Sequence, residues 1–168
     1  QARAMSAALA YHDSAMREAI EANGGKIFKT VGDGVYSVFE TADGALKAAL
    51  KVQQLIHQAG TRSEAPILPI LVRMGLYTGP AEERANDYFG PTLNRTARLM
   101  AAANGGQVLL SSTTKDQLDA DLEMRDLGMH RLRDVNEPEH IFQAVSSQFP
   151  LVTKPIRSLT KRPTNLPG

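Results

Sequence analysis

Apolar positions along the chain change period several times, and each change marks an element. Met5, Leu9, His12, Met16 and Ile20 recur at three- and four-residue spacing in an Ala-rich stretch. That spacing predicts a helix over about 3–22, stopped by Gly24-Gly25. Residues 26–30 and 35–39 read as short β runs around Val31-Gly32-Asp33-Gly34, a Gly/Asp turn of the hairpin kind. Thr41 is placed to cap a second helix reaching about Gln58, with Ala45, Ala49, Val52 and Ile56 as its buried stripe. After a loop at 59–66, residues 68–78 read as a long strand. Pro69 belongs at its start, because a central strand cannot lose that donor. Thr78-Gly79-Pro80 breaks the strand, and the polar residues 81–89 form a β-arm or loop. Gly90-Pro91 opens a third helix over about 92–103, with Pro91 in its first turn, and Gly105-Gly106 ends it. A strand at 108–110, a short helix at 113–119 capped by Ser111 or Ser112, and strands at 123–132 and 140–145 complete the body. This order predicts an α+β sandwich with helices on one face of a mainly antiparallel sheet.

The tail breaks these patterns. Pro150, Pro155, Pro163 and Pro167 fix backbone angles and remove donors, so residues 147–168 read as a linker or strap after a body spanning 1–146. Charge divides at nearly the same place. No acidic residue follows Glu139, while Lys154, Arg157, Lys161 and Arg162 do, so the last 29 residues carry +4 and the first 139 carry −3.

The whole chain has 168 residues and a net charge of +1, which fits one domain and argues against a polyanion binder driven by bulk charge. No basic stripe with interleaved aromatics predicts direct nucleic-acid binding. The absence of cysteine excludes a disulfide scaffold, a thiol nucleophile and a Cys-based metal centre, and fits a reducing compartment. No apolar run approaches the roughly 18 residues of a membrane span. The start at Gln1 predicts a piece of a longer chain.

Four features carry candidate chemistry. Asp33 sits on a Gly-flanked turn where its carboxylate can project to a metal, although Asp also favours turns for its own local hydrogen bonds. Asn94 and Arg98 are four apart near a helix start and share a face, a combination suited to an oxyanion or phosphate. Lys29 and Asp87 supply a donor and an acceptor from separate segments, able to read a base edge if they meet. Arg131 and Arg133 share one side of an extended segment beside Asp134; the alternative for them is a charged edge that resists aggregation.

Taken in order and at this spacing, the stretches 24–39, 73–79, 87–111 and 125–134 resemble the class III adenylate/guanylate cyclase catalytic domain, over about 8–145. The resemblance implies a ferredoxin-like core that works as a homodimer with sites at the interface. It implies ATP as substrate, converted to 3′,5′-cyclic AMP and pyrophosphate by attack of the ribose 3′ hydroxyl on the α-phosphate, with two Mg²⁺ or Mn²⁺ ions. Under it, Asp33 looks like the second metal-binding aspartate, and Lys29 with Asp87 like the adenine-selecting pair. Asn94 and Arg98 look like the transition-state pair. Arg133, with Arg131 as the alternative, looks like the holder of the terminal phosphates.

Two departures stand out. The family's first metal aspartate lies on a strand preceding the first helix, and no residue here matches it, so the chain as given is expected to be inactive unless that strand is supplied. The Thr78-Gly79 pair is followed by Pro80 where many cyclases carry an arginine. The tail, with Pro-Ile-Arg-Ser-Leu and Thr-Asn-Leu-Pro, resembles the linker from a cyclase domain into an ATPase module in large bacterial regulators. That implies a cytoplasmic, sensor-type parent. A catalytically impaired regulatory module that dimerises and senses nucleotide is the alternative reading.

Overall fold

A computed structural model describes residues 2–61, 71–119 and 121–159, with side chains from His12 onward. The first helix, α1 (Ala2–Ala22), packs on the second, α2 (Ala42–Thr61). From His12 on, the buried face of α1 consists of His12, Ala15, Ala19 and Ile20; the side chains of Met5 and Leu9 lie outside the described ones. Asn23 Nδ2 donates to the Ala19 carbonyl, and Gly24, at φ 79°, turns the chain out of the helix. Thr41 caps α2 as its position predicts, its Oγ1 accepting the Gly44 amide at 3.0 Å. The buried stripe of α2 is Leu46, Ala48, Val52 and Gln53 rather than the expected Ala45, Ala49, Val52 and Ile56. Gln53 goes inside because its Nε2 satisfies the Val72 carbonyl at 2.9 Å.

The first two strands, β1 (Gly25–Val31) and β2 (Gly34–Phe39), form an antiparallel hairpin. Of its two turn residues only Gly32 has positive φ, at 61°, the pattern of a type II′ turn. The third strand is short, β3 (Met74–Leu76). Residues 71–73 precede it without pairing as strand, and the expected start at 68, with Pro69, lies outside the described residues. A second small hairpin, β4 (Glu82–Arg84) and β5 (Asp87–Phe89), turns through Ala85 and Asn86, both left-handed, at φ 48° and 64°. Then follow α3 (Pro91–Ala102), β6 (Val108–Ser111), α4 (Ser112–Asp116), β7 (Met124–His130) and β8 (Glu139–Ala144). Four strands join in the order β3-β6-β8-β7, antiparallel apart from the parallel β3–β6 pair.

This sheet is covered on both faces, not one. Leu109 and Ile141 pack with Leu99 and Ala102 of α3, while Val108, Leu110 and Ala144 pack with Leu46 of α2. The reason lies in β6, whose residues are all buried, so both sides of the pleat need cover. A cleft of about 1400 Å³ separates β2 from β3; Val35, Tyr36 and Phe39 line one side, and Met74 and Leu76 the other. Among the described residues no helix is long and apolar enough to cross a membrane.

After β8 the chain crosses back over the body as an extended strap. Ile156 packs against the core under α3. The Arg157 amide donates to the Ala102 carbonyl at the end of α3, and the Leu159 amide to the Arg131 carbonyl, both at 2.9 Å. Three buried amides hold the strap. Gln107 Nε2 and Gln143 Nε2 both donate to the Val152 carbonyl, and Asn104 Nδ2 donates to the carbonyls of Lys154 and Pro155. Gln107 Oε1 in turn accepts the Asn104 amide at 2.7 Å. Replacing Gln107 with Leu removes both functions of one side chain that has no exposed surface. Each polar group left buried and unpaired costs about 1–3 kcal/mol. Urea unfolding of Gln107→Leu is expected to show a loss of that size, with faster hydrogen exchange at Arg157 and Leu159. An unchanged midpoint and unchanged exchange would show that the strap does not depend on the amides.

Candidate active site

Lys29 and Asp87 reach each other through two hairpins. The β1–β2 register slips between Ile27 and Lys29, a bulge that re-aims the side chains beside it. The Phe28 ring packs edge-on against Tyr88, with centroids 4.8 Å apart, and ties the β4–β5 arm to β1. Lys26 Nζ adds a contact to Asn86 Oδ1 at 3.4 Å. Lys29 Nζ then lies 3.3 Å from Asp87 Oδ2 and 5.5 Å from the centre of the Phe89 ring. Asp87 Oδ1 accepts the Tyr88 amide at 2.8 Å, which fixes the carboxylate. Both side chains keep about a third of their surface exposed, 37% and 30%, so an amine and a carboxylate remain side by side and accessible.

Asn94 and Arg98 both line a smaller cavity of about 420 Å³, together with Ala97, Asp134 and Val135. The helical spacing therefore does place them on one face. Arg98 NH2 pairs with Asp134 Oδ2 at 2.6 Å. Arg133 is exposed and precedes Asp134 in the turn. The alternative, Arg131, gives its carbonyl to the strap. Asp33 is exposed on the β1–β2 turn and lines the large cleft, not the cavity of Asn94 and Arg98. Among the described residues, no group of three or more His, Cys, Asp or Glu is arranged to hold a metal ion. Asp33 supplies a hard oxygen donor of the kind Mg²⁺ and Mn²⁺ take, but one carboxylate does not make a site.

A network unremarked in the sequence lies one residue along α3. Arg95 NH1 donates to the Tyr77 hydroxyl at 3.2 Å, and that hydroxyl donates to Glu139 Oε1 at 2.9 Å. Burial pushes the Tyr77 phenol above its ordinary value, while the Arg95 bond opposes and Glu139 adds to that shift. The network joins α3 to the segment after β3 and to the start of β8. Its members are scattered polar residues whose spacing carries no signal. Asp134 was likewise visible only as a neighbour of Arg133.

Residues 1–143 match the family described as the adenylate and guanylate cyclase catalytic domain. An uncharacterised protein of Mycobacterium tuberculosis is 36% identical over 168 residues, covering 96% of this chain and 55% of its own length. A putative adenylate cyclase of Rhizobium meliloti is 31% identical over 120 residues, covering 70% of this chain and 20% of its own. The chain thus spans about half, or less, of these curated relatives. Among solved structures, the adenylyl cyclase CyaB from P. aeruginosa superposes with a TM-score of 0.70 at 25% identity, covering 88% of this chain and 85% of that one. An adenylate/guanylate cyclase/hydrolase from Silicibacter pomeroyi gives 0.69 at 28% identity, covering 82% of each. With the profile match over most of the chain and the same α+β fold in its neighbours, this chain belongs to the class III adenylate and guanylate cyclase catalytic domain family.

Proposed function

We propose that this domain converts ATP to 3′,5′-cyclic AMP and pyrophosphate at sites shared between two copies of the chain. The observation that carries the reading is the Lys29–Asp87 pair. Adenine offers a donor at its exocyclic amine and an acceptor at the neighbouring ring nitrogen. A carboxylate and an ammonium held 3.3 Å apart match that edge. Guanine presents the reverse order, an acceptor oxygen and a ring N–H, and leaves both protein groups facing their own kind. A site built to hydrogen-bond one edge rejects the other because its polar groups are then unpaired.

Asn94 would hold the ribose, and Arg98 would meet charge building on the α-phosphate as the 3′ hydroxyl attacks and pyrophosphate leaves. Arg133, exposed on its turn, would hold the terminal phosphates. Asp33 would contribute one ligand to a divalent cation whose role is to neutralise phosphate charge. Among the described residues no further group joins Asp33 in a cluster of three or more ligands. A second carboxylate, which the family resemblance implies on a strand ahead of α1, would complete the site. The strap would lead into a downstream ATPase module of a cytoplasmic parent protein.

A second reading, a regulatory module that binds nucleotide without turnover, is favoured by Pro80. Cyclic AMP formation by the full-length protein with Mn²⁺ and ATP separates the two. Product formed from ATP in preference to GTP supports the cyclase. Undetectable product from a dimeric, nucleotide-binding protein supports the regulatory module.

Two variants test the assignments. Asp87→Ala is expected to erode the preference for ATP over GTP, measured as the ratio of kcat/KM values; an unchanged ratio would remove the pair from base selection. Arg98→Ala and Asn94→Ala are expected to lower kcat by about 10²–10³, the scale of one lost transition-state donor, with little change in KM. A higher KM at unchanged kcat would place them in ground-state binding.

A further inference from the structure

Leu132 to Val135 form a tight turn closed by the Val135 amide donating to the Leu132 carbonyl at 3.2 Å. Both ends of the turn are buried, in the same core cluster as Leu99. Leu99 follows Arg98 directly in α3. The turn and the helix are therefore anchored in one shared hydrophobic cluster. The two central residues, Arg133 and Asp134, are left exposed above it.

Asp134 occupies the second central position with φ 60°. A turn with positive φ only there is the type II pattern, and Gly is the residue that adopts it without strain. Asp tolerates the left-handed region better than most residues but still costs more than Gly. Strain of this kind is retained where the side chain has a task. Here the side chain has a partner: Asp134 Oδ2 lies 2.6 Å from Arg98 NH2 and forms an ion pair with it. Arg carries five N–H donors. Binding one terminal nitrogen leaves the remaining donors available to an oxyanion in the cavity that Asn94 and Arg98 share.

We infer that Asp134 is a positioning residue, which holds the Arg98 guanidinium at the mouth of the Asn94–Arg98 cavity before nucleotide arrives. The inference rests on the cyclase reading, in which Arg98 stabilises the transition state. Without the carboxylate, a side chain with 40% of its surface exposed samples many rotamers and must be ordered during the reaction. Such a residue affects turnover while leaving the affinity set by the base and the terminal phosphates unchanged.

The test uses Asp134→Asn, which keeps left-handed tolerance and loses the charge, and Asp134→Gly, which relieves the backbone and loses the side chain. In the full-length protein both are expected to melt at or above the wild-type temperature. Both should lose about 10- to 100-fold in kcat at unchanged KM, the scale of a misplaced catalytic group. A purely structural Asp134 predicts the opposite for Asp134→Gly, a relaxed backbone with full activity. Nitrogen-15 NMR of the Arg98 guanidinium reads the pair without turnover. Slowed rotation about the Cζ–NH2 bond is expected in the wild type and free rotation in both variants. Unchanged kcat in both variants of an active enzyme, or guanidinium rotation that ignores Asp134, overturns the inference. A wild type that makes no cyclic AMP defeats the cyclase reading alone, and the rotation measurement still decides whether Asp134 holds Arg98.

Discussion

Helix α3 lies so close to β3 that a Cβ on Gly75 would fall 2.7 Å from the amide nitrogen of Met100 and 3.2 Å from the carbonyl carbon of Leu99. No side chain fits between them. The approach of backbone to backbone sets the height of α3 above the sheet, and Leu99, buried on the same face, sets its rotation. Once height and rotation are fixed, Asn94, Arg95 and Arg98 can project in only one set of directions. Arg95 reaches Tyr77 and Arg98 reaches Asp134. The chemistry assigned to α3 thus depends on a packing constraint in which none of the polar residues takes part.

The same core organises the rest of the molecule. Leu132 and Val135 anchor the turn that offers Arg133 and Asp134, and Ile156 draws the strap over the end of α3. The strap is held by polar contacts of a kind that works only in the interior. Gln107 Nε2 donates to Gln143 Oε1, both amides donate to the Val152 carbonyl, and no buried side-chain polar atom among the described residues lacks a partner. Fully satisfied networks of this sort favour one arrangement over its neighbours. The helix carrying the candidate catalytic groups is consequently fixed at its end as well as along its face.

Much of this was legible in the chain. The hairpin around Gly32, the caps at Thr41 and Ser111, the Pro91 start of α3 and the order of the strands follow from turn chemistry and period, which are local. The buried face of α2 was misread because Ala45 and Ala49 fit a stripe as well as Leu46 and Ala48 do, and because a buried Gln53 is explained only by a carbonyl distant in sequence. Burial of the sheet on both faces was missed, although the unbroken apolar run at 108–110 carries that signal. The Lys29–Asp87 approach could be posed but not settled, since it depends on a bulge at Phe28 and on a turn through two left-handed residues, Ala85 and Asn86. Asp134 showed only as a neighbour of Arg133, because its left-handed backbone and its partner on another element are not local signals.

On the proposed reading one site is divided between two chains, with Asp33 contributed by one and the Lys29–Asp87 pair and α3 by the other. Mixing two inactive full-length variants, Asp33→Ala and Arg98→Ala, tests it most directly. Random exchange between two-fold dimers makes half of them mixed, each with one site intact, so activity should return to about a quarter of wild type. If the mixture stays as inactive as its parents while native mass spectrometry shows that mixed dimers have formed, the site lies within one chain and the account is contradicted.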